Sequence, residues 1–290
     1  MFKGSIVAIV TPFKNGKVDE KALGELIECQ IANGTDGIVP CGTTGESPTL
    51  SGEEHGRVIE ITVAAVNKRV PVIAGTGSNS TEEAIQFTKH AYKVGADGAL
   101  VVAPYYNRPT QEGLFQHYAA IAEATPLPII VYNIESRSAV NIETPTLARM
   151  ANIPNIVGVK EASGKIKQMS DVIRTCGSDF CVLSGDDAFT LPLMALGGHG
   201  IISVVANIVP ADMAALVDAF FAGDLARARE LHHKLMPLVD AMFIETNPAP
   251  VKVALELMGK ISGDVRLPLC RLTEANLAKL KNTMLNYGLI

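Results

Sequence analysis

Long apolar runs, paired cysteines and an excess of basic charge are all missing from this chain, and each absence removes a class of protein. The longest apolar stretches, such as Ile201 to Val209, are interrupted by Ser203 and Asn207. None approaches the roughly 18–20 residues that span a bilayer. Five cysteines (Cys29, Cys41, Cys176, Cys181 and Cys270) are odd in number and scattered, with no Cys-x-x-Cys. That argues against a disulfide framework and against structural zinc. A net charge of -5 gives no electrostatic reason to expect nucleic acid or an anionic membrane as partner. The start, Met1-Phe2-Lys3-Gly4-Ser5-Ile6-Val7, leads directly into a strand pattern without an apolar leader and cleavage site. The expectation is a soluble, cytoplasmic protein.

Several cofactor and metal signatures are also missing. Gly75-Thr76-Gly77-Ser78-Asn79-Ser80 lacks the third glycine of a dinucleotide fingerprint, and no P-loop is present. Asp186-Asp187 has no histidine or carboxylate at ligand spacing and reads as a helix cap. The six histidines form no His-x-x-x-His pair and read as residues of solvated helix faces. Cys41 has no sequence cue for a partnering base and reads as core. No metal is expected.

What remains is a folded chain of 290 residues, 48% hydrophobic and 19% charged. Apolar runs over 6–10, 37–41, 70–74, 98–103, 128–132, 156–160, 180–184 and 200–204 alternate with segments of helical period. Ser51-Gly52-Glu53-Glu54 and Ser80-Thr81-Glu82-Glu83 mark helix starts, as does the threonine before Pro145. Gly34, Gly95 and Gly223 mark helix stops. Eight β-then-α units with strands apolar on both faces indicate a parallel sheet. Their number and length favour a closed (β/α)8 TIM barrel over residues 1–223, with an open doubly wound sheet as the alternative. From 224 to 290 only helices are expected (225–240, 250–258 and 273–287), forming a C-terminal helical extension.

A barrel carries its site at the C-terminal ends of its strands. The sixth run, Asn155 to Glu161, delivers Lys160 to such an end, where desolvation favours a neutral amine able to attack a carbonyl. The fifth run ends in Tyr132-Asn133, with Arg137 just beyond, suited to clamping a carboxylate. Gly42-Thr43-Thr44-Gly45-Glu46-Ser47 follows the second run as a tight turn whose amides can converge on an anion. A lysine beside a phenol is the minimal set for Schiff-base chemistry on a keto acid.

In this order, several motifs closely resemble the dihydrodipicolinate synthase family over essentially the whole length. They are Gly4-Ser5-Ile6-Val7-Ala8, Gly42 to Ser47, Pro104-Tyr105-Tyr106-Asn107, Tyr132-Asn133, Gly158-Val159-Lys160-Glu161, Leu183-Ser184-Gly185-Asp186-Asp187 and Asn247-Pro248-x-Pro250-Val251-Lys252. The resemblance implies a cofactor-free condensation of pyruvate with L-aspartate 4-semialdehyde in lysine and diaminopimelate biosynthesis. It implies Lys160 as the imine-forming residue, with Tyr132, Thr43 and Tyr106 as a proton relay, Tyr106 reaching across a dimer interface. Thr44 would bind the pyruvate carboxylate and Arg137 the semialdehyde carboxylate, while Gly185 and Ile202 line the pocket. A homotetramer, as a dimer of dimers, is implied too. Family members inhibited by lysine bind it with residues matching Ser47, His55, Asn79, Glu83 and Tyr105, although Gly52 stands where a histidine is often found. Other pyruvate aldolases acting on sugar acids, and a non-catalytic sensor of pyruvate or lysine, are the rival readings. The chain departs from the family at Ile134-Glu135-Ser136-Arg137-Ser138-Ala139, where Val-Pro-x-Arg-Thr-Gly is usual. The missing proline is expected to loosen the turn that aims Arg137, and Glu135 to place a charge near the substrate's approach.

Overall fold

The computed structural model describes residues 2–290. Eight parallel strands make the barrel: β1 (Gly4–Ala8), β4 (Gly37–Val39), β5 (Ile73–Gly75), β6 (Gly98–Val102), β7 (Ile129–Asn133), β8 (Ile156–Glu161), β9 (Cys181–Ser184) and β10 (Gly200–Ser203). Hydrogen bonding runs in the order β4-β1-β10-β9-β8-β7-β6-β5. A bridge from Ile38 to Val72, just ahead of β5, closes the ring. The closed barrel rather than the open sheet is therefore the fold. Each strand falls within two or three residues of its expected place. The second stops at Val39 because Pro40 has no N–H for the ladder.

The strands read as unbroken apolar runs because both faces are buried. Ile6, Val39, Ile73, Leu100, Ile130, Leu183 and Ile202 fill the barrel interior. Val7, Ile38, Ala74, Val101, Val131, Val159 and Ile201 alternate with them and pack outward against the helices. Burying one such side chain contributes about 1.5–3 kcal/mol. Gly75 is required here, because a Cβ at that position would lie 2.2 Å from the carbonyl oxygen of Cys41.

Around the barrel run α1 (Glu20–Ala32), α2 (Gly52–Val66), α3 (Thr81–Lys93), α4 (Gln111–Glu123), α5 (Glu135–Ser138), α6 (Thr144–Met150), α7 (Ile166–Cys176), α8 (Thr190–Ala195) and α9 (Pro210–Phe221). Their ends follow the expected chemistry. Ser51 and Glu54 form a reciprocal capping box at the start of α2, and the Ser80 hydroxyl accepts from Glu83 N. Gly34, Gly95 and Gly223 all adopt positive φ just past helix ends. At α6 the cap is Glu143 rather than Thr144, so the helix begins one residue earlier than expected. A two-residue hairpin, β2 (Phe13–Lys14) with β3 (Lys17–Val18), turns through Asn15-Gly16, both at positive φ.

Beyond α9 lie α10 (Leu225–Met242), α11 (Ala249–Leu257) and α12 (Glu274–Tyr287). They pack on the barrel through Leu231, Leu235, Leu238, Val251 and Leu280, all buried. Among the described residues, no helix is long and apolar enough to cross a membrane.

Candidate active site

The register between β7 and β8 decides which side chains meet at this end of the barrel. Ile129 pairs with Ile156 but Ile130 pairs with Gly158, so Val157 is passed over. This one-residue shift sets Tyr132 directly opposite Lys160, both facing the barrel interior, and Asn133 opposite Glu161, facing out. Lys160 is 5% exposed, and its Nζ lies 4.3 Å from the centroid of the Tyr132 ring. Gly185, after β9, lies against the lysine stem: a Cβ there would meet Lys160 Cε at 2.9 Å. Ile202 packs in the same interior cluster as Tyr132 and Leu183. The lysine is thus buried against the Tyr132 ring and Gly185, at the end of a strand paired on both sides.

Behind this pair a buried polar network fixes the strand ends. Glu161 accepts from Asn133 Nδ2 at 3.0 Å and from Ser163 N at 2.7 Å, and Ile142 N donates to Asn133 Oδ1 at 2.9 Å. Asp187 accepts from Ser203 Oγ at 2.5 Å and from Val204 N at 3.0 Å, joining the loops after β9 and β10. Burial pushes the Asp187 carboxyl above the usual carboxylate range. Only Asp186 serves as a cap, accepting from Ala188 N at 2.9 Å.

A cavity of about 360 Å³ opens at this end of the barrel, lined among others by Thr43, Ser47, Tyr105, Tyr132, Ile134 and Arg137. Lys160 and Thr44 are not on its surface; the lysine lies against the Tyr132 ring that is. The turn carrying Thr43 and Thr44 is tightly folded. Gly45 N and Ser47 N both donate to Gly42 O, and Glu46 N donates to Thr43 O. Cys41 and Glu46 each take φ of 54°.

What holds that turn comes from the far end of the chain, and sequence reasoning missed it. Glu46 accepts from Lys252 Nζ at 2.6 Å and from Arg266 N at 3.0 Å. Lys252 and Glu46 side chains are 0% and 1% exposed. Lys252 also donates to Thr11 O at 2.9 Å, and Thr11 Oγ1 donates to Gly45 O at 2.7 Å. Burial lowers the Lys252 pKa, against the opposing pull of Glu46. Asn247 Nδ2 donates to Thr44 Oγ1 at 3.0 Å. The available signal was a lysine inside the apolar stretch Val251-Lys252-Val253-Ala254-Leu255.

Arg137 lies in α5, a single helical turn rather than the loosened loop expected. Ser138 Oγ lies 2.8 Å from Ile134 O and 2.9 Å from Val140 O, and Ala139 closes the turn at φ 59°. Glu135 is paired with Lys165 Nζ at 2.5 Å, so its charge is taken up locally. Arg137 itself is exposed and donates from Nη2 to Asn247 O at 3.3 Å. Tyr106, after β6, is 90% exposed and sits at φ 73°.

The remaining candidates are Ser47, His55, Asn79, Glu83 and Tyr105. Ser47 and Tyr105 face the cavity, Asn79 Nδ2 donates to Tyr105 O at 3.2 Å, and Glu83 is hydrogen-bonded to Ser78 Oγ. His55 stacks on Phe87 with ring centroids 4.3 Å apart. It is 2% exposed, and burial pulls it down to about 4. His117 is buried as well, 2.9 Å from the Thr81 hydroxyl and also pulled down to about 4. The reading of the histidines as solvated is therefore corrected: of the six, His233 alone is exposed, and His90, His199 and His232 are half-buried.

A sequence profile described as the Dihydrodipicolinate synthetase family matches residues 1–286. A 4-hydroxy-tetrahydrodipicolinate synthase of Syntrophus aciditrophicus (strain SB) is 72% identical, covering all of both chains. The chloride-inhibited dihydrodipicolinate synthase of Acinetobacter baumannii, solved in complex with pyruvate, superposes at a TM-score of 0.98, with 49% identity and full coverage of both chains. A dihydrodipicolinate synthase from Cyanidioschyzon merolae with lysine bound gives a TM-score of 0.97 at 42% identity, covering 100% of this chain and 99% of the other.

Proposed function

The chain belongs to the dihydrodipicolinate synthetase family, and from that premise we propose how its site works. It is a lyase with the activity of a 4-hydroxy-tetrahydrodipicolinate synthase, serving lysine and diaminopimelate biosynthesis. Lys160 Nζ adds to C2 of pyruvate, and loss of water leaves a protonated imine, which is an electron sink. Removal of a methyl proton gives an enamine that attacks the aldehyde of L-aspartate 4-semialdehyde. The amino group of the bound product then takes over the C=N bond, closing the ring and freeing the lysine. The observation that carries this reading is the register that sets Tyr132 opposite Lys160, with Nζ against the phenol ring.

Thr43 and Thr44 hold the pyruvate carboxylate, and Arg137 takes the carboxylate of the second substrate. Gly185 and Ile202 line the pocket. Tyr132, Thr43 and Tyr106 pass protons between substrate and solvent. Tyr106 acts across a subunit boundary; what supports this is a bulky residue at positive φ, almost wholly exposed, beside the cavity that Tyr105 lines. The assembly is a homotetramer, a dimer of dimers, working in the cytoplasm. Lysine binds at Ser47, His55, Asn79, Glu83 and Tyr105, as a feedback inhibitor.

Incubation with pyruvate and borohydride, followed by mass spectrometry, tests the central step. The expected product is a single adduct on Lys160, absent from Lys160→Ala, which is inactive. Turnover is then measured with aspartate semialdehyde and with sugar-acid aldehydes in parallel. An adduct on another residue overturns the mechanism, and turnover confined to sugar acids overturns the second substrate.

A further inference from the structure

Asn247 stands between two groups to which the proposed function gives separate tasks. Its Nδ2 donates to Thr44 Oγ1 at 3.0 Å, and its main-chain carbonyl accepts from Arg137 Nη2 at 3.3 Å. The residue is 4% exposed. Its side-chain oxygen, Oδ1, is buried and takes no hydrogen bond. Folded proteins seldom leave a buried acceptor unpaired, because the desolvation is not repaid. Asn247 Oδ1 therefore calls for a donor, and its position limits which donor that is.

Resting on the reading that Arg137 holds the carboxylate of an amino-acid aldehyde, the same substrate carries an ammonium on the carbon that bears this carboxylate. Asn247, whose main-chain carbonyl touches Arg137, stands close to where that ammonium would lie. Arg137 is the only charged residue among those lining the cavity, so no side-chain carboxylate there competes for the group. We propose that Asn247 Oδ1 accepts a hydrogen bond from the amino group of the second substrate, and so selects a 2-amino aldehyde acid over its des-amino analogue. The amine later sheds a proton so that its nitrogen can form the new C=N bond as the C=N bond to Lys160 breaks.

The test compares kcat/KM for aspartate semialdehyde and for 4-oxobutanoate, which lacks the amino group, following pyruvate consumption in both cases. The wild-type enzyme prefers the amino aldehyde. In Asn247→Ala that preference falls by about 10- to 100-fold. Loss of the Thr44 contact affects both aldehydes alike and cancels in the ratio. Asn247→Asp keeps an acceptor in place, so it retains the preference, and it stands as the second variant should Asn247→Ala fail to fold. An unchanged preference in Asn247→Ala, or a fallen one in Asn247→Asp, overturns the proposal. A wild-type enzyme that turns over the amino aldehyde without preferring it overturns this inference alone. One that does not turn it over at all overturns the proposed function beneath it.

Discussion

Two turns rim the same cavity and are finished in opposite ways. The turn after β4, residues 42–47, is sealed by its own chain: Glu46 is buried against Lys252 and the amide of Arg266, more than 200 residues away. The turn after β6, residues 104–108, has no such anchor. Asn107 N donates to Tyr105 O, Asn107 Nδ2 to Asn79 O and Arg108 Nε to Ala139 O, while Tyr106 and Arg108 hold positive φ and Tyr106 stands in solvent. The contrast separates two kinds of requirement. A turn that presents backbone amides to an anion must be rigid before substrate arrives. If Tyr106 acts across a subunit boundary as proposed, its turn is completed by assembly.

Removing the buried cation tests the first half of that contrast and carries the largest expected effect. Lys252→Met strands the Glu46 carboxylate in the core, which costs about 3–5 kcal/mol. The loss reads out as a lowered denaturant midpoint together with a raised pyruvate KM. Adding Glu46→Gln in the same chain removes both charges and recovers most of the stability. If the single variant loses less than about 1 kcal/mol, the pair is not what seals the turn.

The opposite turn responds in rate instead of stability. Tyr106→Phe is expected to lower kcat about 100-fold, the usual contribution of a positioned proton-transfer group, with no change in the denaturant midpoint. Undiminished kcat in this variant removes Tyr106 from the relay.

A smaller effect comes from the outer edge of the sealed turn. Arg266 holds the Glu54 carboxyl down to about 2 through hydrogen bonds of 2.6 Å to both its oxygens. A carboxyl depressed in the folded state stabilises above its unfolded pKa and loses that contribution as pH falls through the folded value. Between about pH 4.5 and 2 the wild-type protein therefore gives up about 1 kcal/mol from this group, after allowance for solvent screening. Glu54→Gln lacks that slope in acid titrations followed by circular dichroism; superimposable acid profiles would show that the pair contributes nothing.

The least effect is expected at the exposed pair Glu135–Lys165. Both side chains reach solvent, at 43% and 52% exposure, and α5 is already held by Ser138. Glu135→Gln should change the KM for the aldehyde by less than about threefold. A tenfold change would mean that this pair, not the turn itself, aims Arg137.

The barrel and the strand ends that carry Tyr132 and Lys160 were legible because their signals are local. Apolar runs ending in Tyr132 and Lys160 mark strands by composition alone, and Ser51 and Gly95 mark helix ends by their own side chains or lack of one. The register that brings Tyr132 opposite Lys160 was not legible, since a passed-over Val157 leaves no mark in the sequence. Nor were the contacts of Asn247 and Lys252, whose partners lie from 110 to 241 positions away and share no periodicity with them. His55 could have been read as buried: it stands three, four and seven residues before Val58, Ile59 and Thr62, on the inward face of α2. The Asn15-Gly16 pair likewise announced the small hairpin.

The ring closes on a thin fastening. β4 is three residues long, and the seam to β5 is held by Ile38 N on Pro71 O and Gly75 N on Pro40 O, with the two prolines offering no N–H in return. Local opening of the barrel wall is expected to begin along this seam. Residues 42–47 ride directly on its upper end, so the Lys252 ammonium acts as a rivet driven through the loose side of the cylinder from the last helices.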